Sequence, residues 1–183
     1  MTRLQDWIDK EGEVILREIG IKDGQNILDF GCGKGIYTIL ASKIVGSSGK
    51  IFALDSDEEN LLGNLTNKIK AENVKNVEVI KTSGEIKTPL NNESMDVVLM
   101  YDILHLLDNN ERMKLFKEAY RVLKTRGIAS YHATHLGGTY NIALEEIHKK
   151  MKENGFHLDR EFKRPLFHWA WIEDSTIINY LKG

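Results

Sequence analysis

The chain has 183 residues, 42% of them hydrophobic and 28% charged, and its 25 basic and 27 acidic side chains leave a net charge of −2. That balance is ordinary for a globular protein and excludes the broad basic field that draws nucleic acid or an anionic membrane. The single cysteine, Cys32, excludes an internal disulfide and any cysteine-rich metal site.

Met1 to Asp6 lacks the basic-then-apolar layout of a signal peptide, and no apolar run approaches the roughly 20 residues of a spanning helix. A cytoplasmic protein is expected. Apolar spacing from Trp7 to Ile19 predicts an amphipathic opening helix. Asn26–Phe30 reads as a strand, Gly35–Val45 as a helix, and Lys50–Leu54 as a second strand ended by Asp55. Asp57 is placed to cap a helix running to about Ala71, with Glu58 and Glu59 in its first turn.

Val77–Ile80 and Met95–Met100 read as the third and fourth strands. Asp108 with Glu111 forms a capping-box pattern for a helix ending near Leu123, and Gly127–His132 is a fifth strand. A long helix is predicted over about Tyr140–Glu153, followed by two strands between Phe156 and Lys182. Strands alternating with helices predict a parallel sheet covered on both faces, and the final pair an antiparallel edge. With no linker rich in Pro or Gly, one domain is expected: a helical cover over 1–24, a core over 25–132, and a helix with a strand pair over 133–183.

Gly31-Cys32-Gly33-Lys34-Gly35 follows the first strand, where an open parallel sheet binds its ligands. Glycines there permit a sharp turn and close approach of a ligand, and the next helix points free N–H groups at it. A P-loop pattern is absent. A dinucleotide fingerprint would require a small residue where Ile36 stands. Asp55, twenty residues beyond Gly35, can accept the hydroxyls of a ribose. These residues favour a nucleoside cofactor without a pyrophosphate.

Asp29-Phe30-Gly31-Cys32-Gly33-Lys34-Gly35 resembles motif I of the class I S-adenosylmethionine-dependent methyltransferases, and Asp55 matches the acid ending their second strand. "NNESMDVVLMYDILHLL" and "FKEAYRVLKTRGIASY" resemble the fourth strand and the fifth-strand approach of the same family. The pattern is most similar to the small-molecule, quinone-biosynthesis-like branch. The resemblance implies a Rossmann-like three-layer α/β/α sandwich with a seven-stranded, mostly parallel sheet and an antiparallel C-terminal strand. It implies S-adenosylmethionine as cofactor, leaving as S-adenosylhomocysteine, held by Asp29, Gly31, Cys32, Gly33, Gly35, Asp55, Ser56 and Tyr101. Thr82-Ser83-Gly84 stands where family members often carry an acid for the adenine amino group, which offers Ser83 and Gly84 to the adenine.

Methyl transfer from a sulfonium asks the protein mainly to position an acceptor and exclude water; a base serves only where the acceptor loses a proton. Asp102 and His105, beyond the fourth strand, are the acid–base candidates. His132 and His135 form an H-x-x-H pair with no third ligand nearby in sequence, so no metal is expected. Alternation puts Phe167, Trp169 and Trp171 on one strand face, which predicts core packing, and Trp7 is expected to pack against the sheet. The expected partner is a small-molecule acceptor in an open pocket, compatible with a homo-oligomer, without nucleic acid or membrane. Two rivals remain: a non-catalytic module binding a protein partner, and a nicotinamide-dependent oxidoreductase.

Overall fold

Val97, Leu99 and Tyr101 project from one side of a buried strand, and Val98 and Met100 from the other. Such a strand needs cover on both faces. The computed structural model, which describes residues 2–57, 61–140 and 142–183, supplies it. Seven strands form one sheet: β1 (Asn26–Phe30), β2 (Lys50–Asp55), β3 (Val77–Lys81), β4 (Met95–Tyr101), β5 (Leu123–Ala133), β6 (Phe156–His168) and β7 (Trp171–Lys182). Their order is β3-β2-β1-β4-β5-β7-β6, with β7 antiparallel to both neighbours and the β1–β5 pairs parallel. The architecture is the one expected. Among the described residues no helix is long and apolar enough to cross a membrane.

Helices α1 (Arg3–Lys10), α2 (Gly12–Ile19), α3 (Ile36–Val45) and α4 (Gly63–Ala71) cover one face, while α5 (Asn109–Val122) and α6 (Leu144–Glu153) cover the other. The predicted opening helix is two helices meeting at Glu11. Glu11, at φ −107° and ψ −39°, caps both, and Gly12 beside it packs closely: a Cβ there would stand 2.6 Å from Leu40 and 3.1 Å from the Trp7 ring. Trp7 is fully buried, as expected, and its indole N–H donates to the Pro165 carbonyl at 2.6 Å.

The capping box forms as read: Glu111 N–H donates to the Asp108 carboxylate at 2.8 Å, and Asp108 N–H to the Glu111 carboxylate at 2.9 Å. Glu58 and Glu59, expected in the first turn of the helix after Asp57, lie outside the described residues. Two further boundaries moved. β5 starts at Leu123 and carries an irregularity opposite Met95–Val97 with Arg126 at φ 62°. α6 starts at Leu144, because a separate 3₁₀ turn takes Gly138–Tyr140 and no side chain caps the helix before it.

Candidate active site

β1 and β4 are neighbours, yet the chain goes from β1 to β2 on one side and from β4 to β5 on the other. The reversal leaves a crevice beyond the strands' carboxyl ends. A cleft of about 280 Å³ occupies it. Gly31, Cys32, Gly33 and Lys34 line it from the first loop, Asp55 and Ser56 from the end of β2, and Tyr101 and Asp102 from the end of β4.

The glycines of the loop serve different ends. Gly33 has φ 54° and nothing within 4 Å of where a Cβ would stand, so its bare face opens onto the cleft. Gly35 caps α3 at φ 74° and does not line the cleft; a Cβ there would lie 2.3 Å from Leu65. Helix packing, rather than a ligand, accounts for Gly35. The loop folds back on β2: Gly31 and Cys32 N–H both donate to the Leu54 carbonyl, at 2.8 and 3.0 Å.

Asp55 completes that arrangement. One carboxylate oxygen accepts from Gly33 N–H at 2.9 Å, the other from Ser56 and Asp57 N–H at 2.8 and 3.0 Å. A carboxylate offers about four lone-pair sites, so three are already engaged. Asp55 therefore fixes the shape of the glycine loop in addition to facing the cleft.

Asp29 lies beneath the loop rather than on its surface. It is 2% exposed, does not line the cleft, and accepts a 2.5 Å hydrogen bond from the Thr38 hydroxyl. Burial pushes its carboxyl up to about 6, opposed by the Thr38 bond and reinforced by the Asp55 charge. Burial also pushes the Cys32 thiol far up, so Cys32 is an inert space-filler. Ser83 and Gly84 stand apart from the cleft. Glu85 accepts from Ser83 N–H at 2.8 Å, Thr82 from Gly84 N–H at 3.2 Å, and Ser83 lines a separate surface groove along Ile80–Pro89.

The far wall is apolar and was not foreseen. Ile36, Tyr37, Leu61, Ile103 and Leu106 reach it, joined by Phe167 and Trp169 from the β6–β7 hairpin. Core packing holds for Phe167, which packs partly buried against the core, and is overturned for the two tryptophans: β6 stops at His168, Trp169 turns to φ 56°, and Trp169 and Trp171 are 61% and 52% exposed. Two-residue alternation cannot continue through a turn. The Tyr37 hydroxyl donates to the Phe167 carbonyl at 2.8 Å, and the Tyr37 ring meets Tyr101 edge-on at 4.8 Å. Tyr101 shares a 3.0 Å hydrogen bond with Ser130.

Asp102 and His105 come together unequally. Asp102 lines the cleft, whereas only 3% of the His105 side chain is exposed and its Nδ1 lies 3.6 Å from the Asp102 carboxylate, too far for a hydrogen bond. Burial and the neighbouring His135 hold the His105 pKa below the ordinary histidine range. Asp102 also faces His135 and His168, at 3.6 and 3.2 Å, and accepts from the Thr134 hydroxyl at 3.0 Å. His132 is sealed beneath this group with neither ring nitrogen partnered among the described residues, and burial pushes it down to about 3. It is neutral at any ordinary pH.

A glycine loop after β1, an acid ending β2 and a cleft at the switch point define a nucleoside-cofactor protein of methyltransferase architecture. Residues 27–127 match the family model described as "Methyltransferase domain", and the chain belongs to that family. It is similar to a demethylmenaquinone methyltransferase of Lactococcus lactis, 31% identical over 165 residues covering 88% of this chain and 62% of that protein. It is also similar to the chloroplastic 2-phytyl-1,4-beta-naphthoquinone methyltransferase of Arabidopsis thaliana, 37% identical over 108 residues covering 57% of this chain and 40% of that one. The chain thus spans about three-fifths or less of the length of these relatives. Among solved structures, a SAM-dependent methyltransferase from Aquifex aeolicus superposes with a TM-score of 0.78 at 24% identity, covering 97% of this chain and 92% of that one. That likeness establishes the shared fold.

Proposed function

We propose that this chain is an S-adenosylmethionine-dependent methyltransferase whose acceptor is a small organic molecule with an apolar, ring-like body. The observation that carries the reading is one continuous cleft with two unlike walls. The Gly31–Lys34 backbone and Asp55 form the polar side, and Tyr37, Tyr101, Phe167 and Trp169 the apolar side. The residues fit the cofactor on their own terms: Gly33 leaves open space where any side chain would project, and two carboxylates near it suit a cationic ligand. Relatives named for demethylmenaquinone and phytyl-naphthoquinone support a quinone-like ring as the acceptor class.

When bound, the cofactor supplies an electrophilic methyl group on a sulfonium. The chain supplies position and dryness. Gly33 admits the ligand, Asp55 holds the loop and presents its remaining lone pair to the ribose, and Asp29 contributes negative charge from below. The hydrogen bonds of Trp7 to Pro165 and of Tyr37 to Phe167 tie the hairpin wall to the helices, which keeps that wall in place against the acceptor. Asp102 is the one group of the expected acid–base pair that lines the cleft, and it takes the proton if the acceptor loses one. His105 stands behind it as a positioning residue.

Calorimetric titration with S-adenosylmethionine, S-adenosylhomocysteine and NAD tests the cofactor. Binding of both sulfur nucleosides without NAD is expected. Because Asp55 also shapes the loop, its replacement does not isolate the ribose contact; a 2′-deoxy analogue of S-adenosylhomocysteine does, and should bind more weakly. Methyl transfer from isotopically labelled cofactor to a panel of naphthoquinols then tests the acceptor class. A folded sample that binds neither nucleoside would favour the protein-partner module instead.

A further inference from the structure

We propose that the side chains beyond β4, β5 and β6 form a binding site for one divalent transition-metal ion of the imidazole-preferring class, with Asp102, His105, His135 and His168 as ligands. Their positions in sequence hide this. The fold gathers Asp102 and His105 from the loop after β4, His135 from the loop after β5 and His168 from the last residue of β6.

Donor atoms of Asp102, His105 and His135 all lie within 4.8 Å of one another. The Asp102 oxygen is 3.6 Å from His105 Nδ1, 3.6 Å from His135 Nε2 and 3.2 Å from His168 Nε2. His135 Nε2 and His168 Nε2 are 3.1 Å apart. Four ligands at 2.0–2.1 Å around a tetrahedral ion stand about 3.3–3.4 Å from each other; the four separations given bracket that edge, and His168 joins the Asp102–His105–His135 group through Asp102 and His135. His105 and His135 stand too far from Asp102 to hydrogen-bond it, and the short contact between the His135 and His168 nitrogens is held either by one shared proton or by a cation.

Independent features point the same way. The buried Nδ1 of His105 is aimed into the cluster yet has no hydrogen-bond partner among the described residues. His168 has its other nitrogen, Nδ1, bonded to the Glu173 carboxylate at 2.8 Å, and Trp171 fixes that carboxylate at 2.9 Å. A carboxylate behind a histidine is the usual device that orients a metal-binding ring and sets its tautomer. Tyr140 lies over the rings of His105 and His135, at 5.2 and 4.6 Å. Three imidazoles with one carboxylate suit zinc, cobalt, nickel or iron rather than calcium or magnesium. An ion here would pin the end of β6, and with it Phe167 and Trp169, to the ends of β4 and β5. The proposal shares Asp102 with the cleft, and an ion bound to that carboxylate would take it out of use as a proton acceptor; metal uptake is therefore measured apart from any activity.

The test uses the full chain, free of any histidine tag and stripped with a chelator, titrated calorimetrically with zinc chloride and followed by visible absorption with cobalt(II). One ion per chain is expected, with the cobalt bands of a four-coordinate nitrogen and oxygen site. His135→Ala with His168→Ala should abolish binding. Glu173→Gln should weaken it by about 10- to 100-fold, while His148→Ala, which removes a histidine paired instead with Tyr180 and Glu161, should leave it unchanged. If the double variant fails to fold by circular dichroism, Glu173→Gln and Asp102→Asn carry the test. A folded wild-type chain that takes up neither ion overturns the proposal, as does binding unaffected by every cluster substitution.

Discussion

Asp29→Asn offers a quantitative check on the buried acid beneath the glycine loop. Asp29 is 2% exposed, keeps one hydrogen bond, from Thr38, and its carboxyl is raised from 3.8 to about 6. At ~1.4 kcal/mol for each tenfold change, the ionised folded state is penalised by about 3 kcal/mol relative to a solvated carboxylate. The sign follows from which state binds the proton. Below pH 3.8 the group is protonated folded and unfolded, and no penalty exists. Between 3.8 and about 6 the folded state holds the proton more tightly, so stability is lost as pH rises, and above about 6 the loss is complete. The asparagine variant has no such titration, although its amide leaves an unpaired donor that costs about 1–3 kcal/mol at every pH. The difference in unfolding free energy, variant minus wild type, should therefore climb by about 3 kcal/mol in all between roughly pH 3 and pH 7, with about 2 kcal/mol of the rise between pH 4 and pH 6, and then level off. Urea unfolding of both proteins across that range reads it directly, since titrating groups remote from Asp29 cancel. A flat difference curve, or one that falls, would refute the account of Asp29 as a desolvated acid.

The same acid should respond to a cation in the cleft. Near pH 6, S-adenosylmethionine binding should release a fraction of a proton that the uncharged sulfur of S-adenosylhomocysteine does not release to the same extent, measurable by titration in buffers of different ionisation enthalpy. Gly33→Ala should cost about 1–2 kcal/mol for its left-handed backbone and also weaken nucleoside binding, because the new methyl enters the cleft. Gly35→Ala should destabilise further, by about 1–3 kcal/mol beyond the backbone term, through the collision with Leu65, and thermal melts separate the two. Trp169→Ala should change stability by less than about 0.5 kcal/mol while raising the acceptor KM with little change in kcat; an unchanged KM would remove Trp169 from the acceptor wall.

The strands and the loop after β1 were legible because their signals are local. Period-two burial, a capping box and glycines at alternate positions each lie within a few residues, and the ordered motifs between Gln25 and Tyr131 carried the sheet. The opening helix misled because amphipathic spacing is blind to a break as short as the one at Glu11. Trp169 and Trp171 misled because alternation holds only while a strand lasts, and the turn at Trp169 has no glycine, asparagine or proline to announce it. Asp55 was rightly seen as a strand-end acid, but its bonds to Gly33 and Asp57 depend on how two loops meet. Ser83 and Gly84 were carried over from motif order alone; their N–H groups bond to Glu85 and Thr82, and Ser83 lines a groove along Ile80–Pro89.

His132 and His135 show the same limit most sharply. Read along the chain they lack a third ligand; folded, His132 is sealed away while His135 meets Asp102 and His168. The backbone gives a reason to regard that meeting as selected rather than incidental. Asp102, His135 and Trp169 have φ of 57°, 53° and 56°, each just beyond a strand end and none a glycine. A left-handed conformation costs about 1–2 kcal/mol for such residues, and strained residues persist where the surrounding structure holds them for a purpose. Glycine would relieve the strain at each position but would remove a carboxylate and an indole from the cleft lining and an imidazole from the cluster beside Asp102. At Asp102 and His135 the loss would be two of the four donors of the cluster, and at Trp169 part of the acceptor wall. Asn73, Glu93 and Arg126 share the conformation elsewhere in the fold; what sets Asp102, His135 and Trp169 apart is that all three converge on the end of the sheet where the cleft opens.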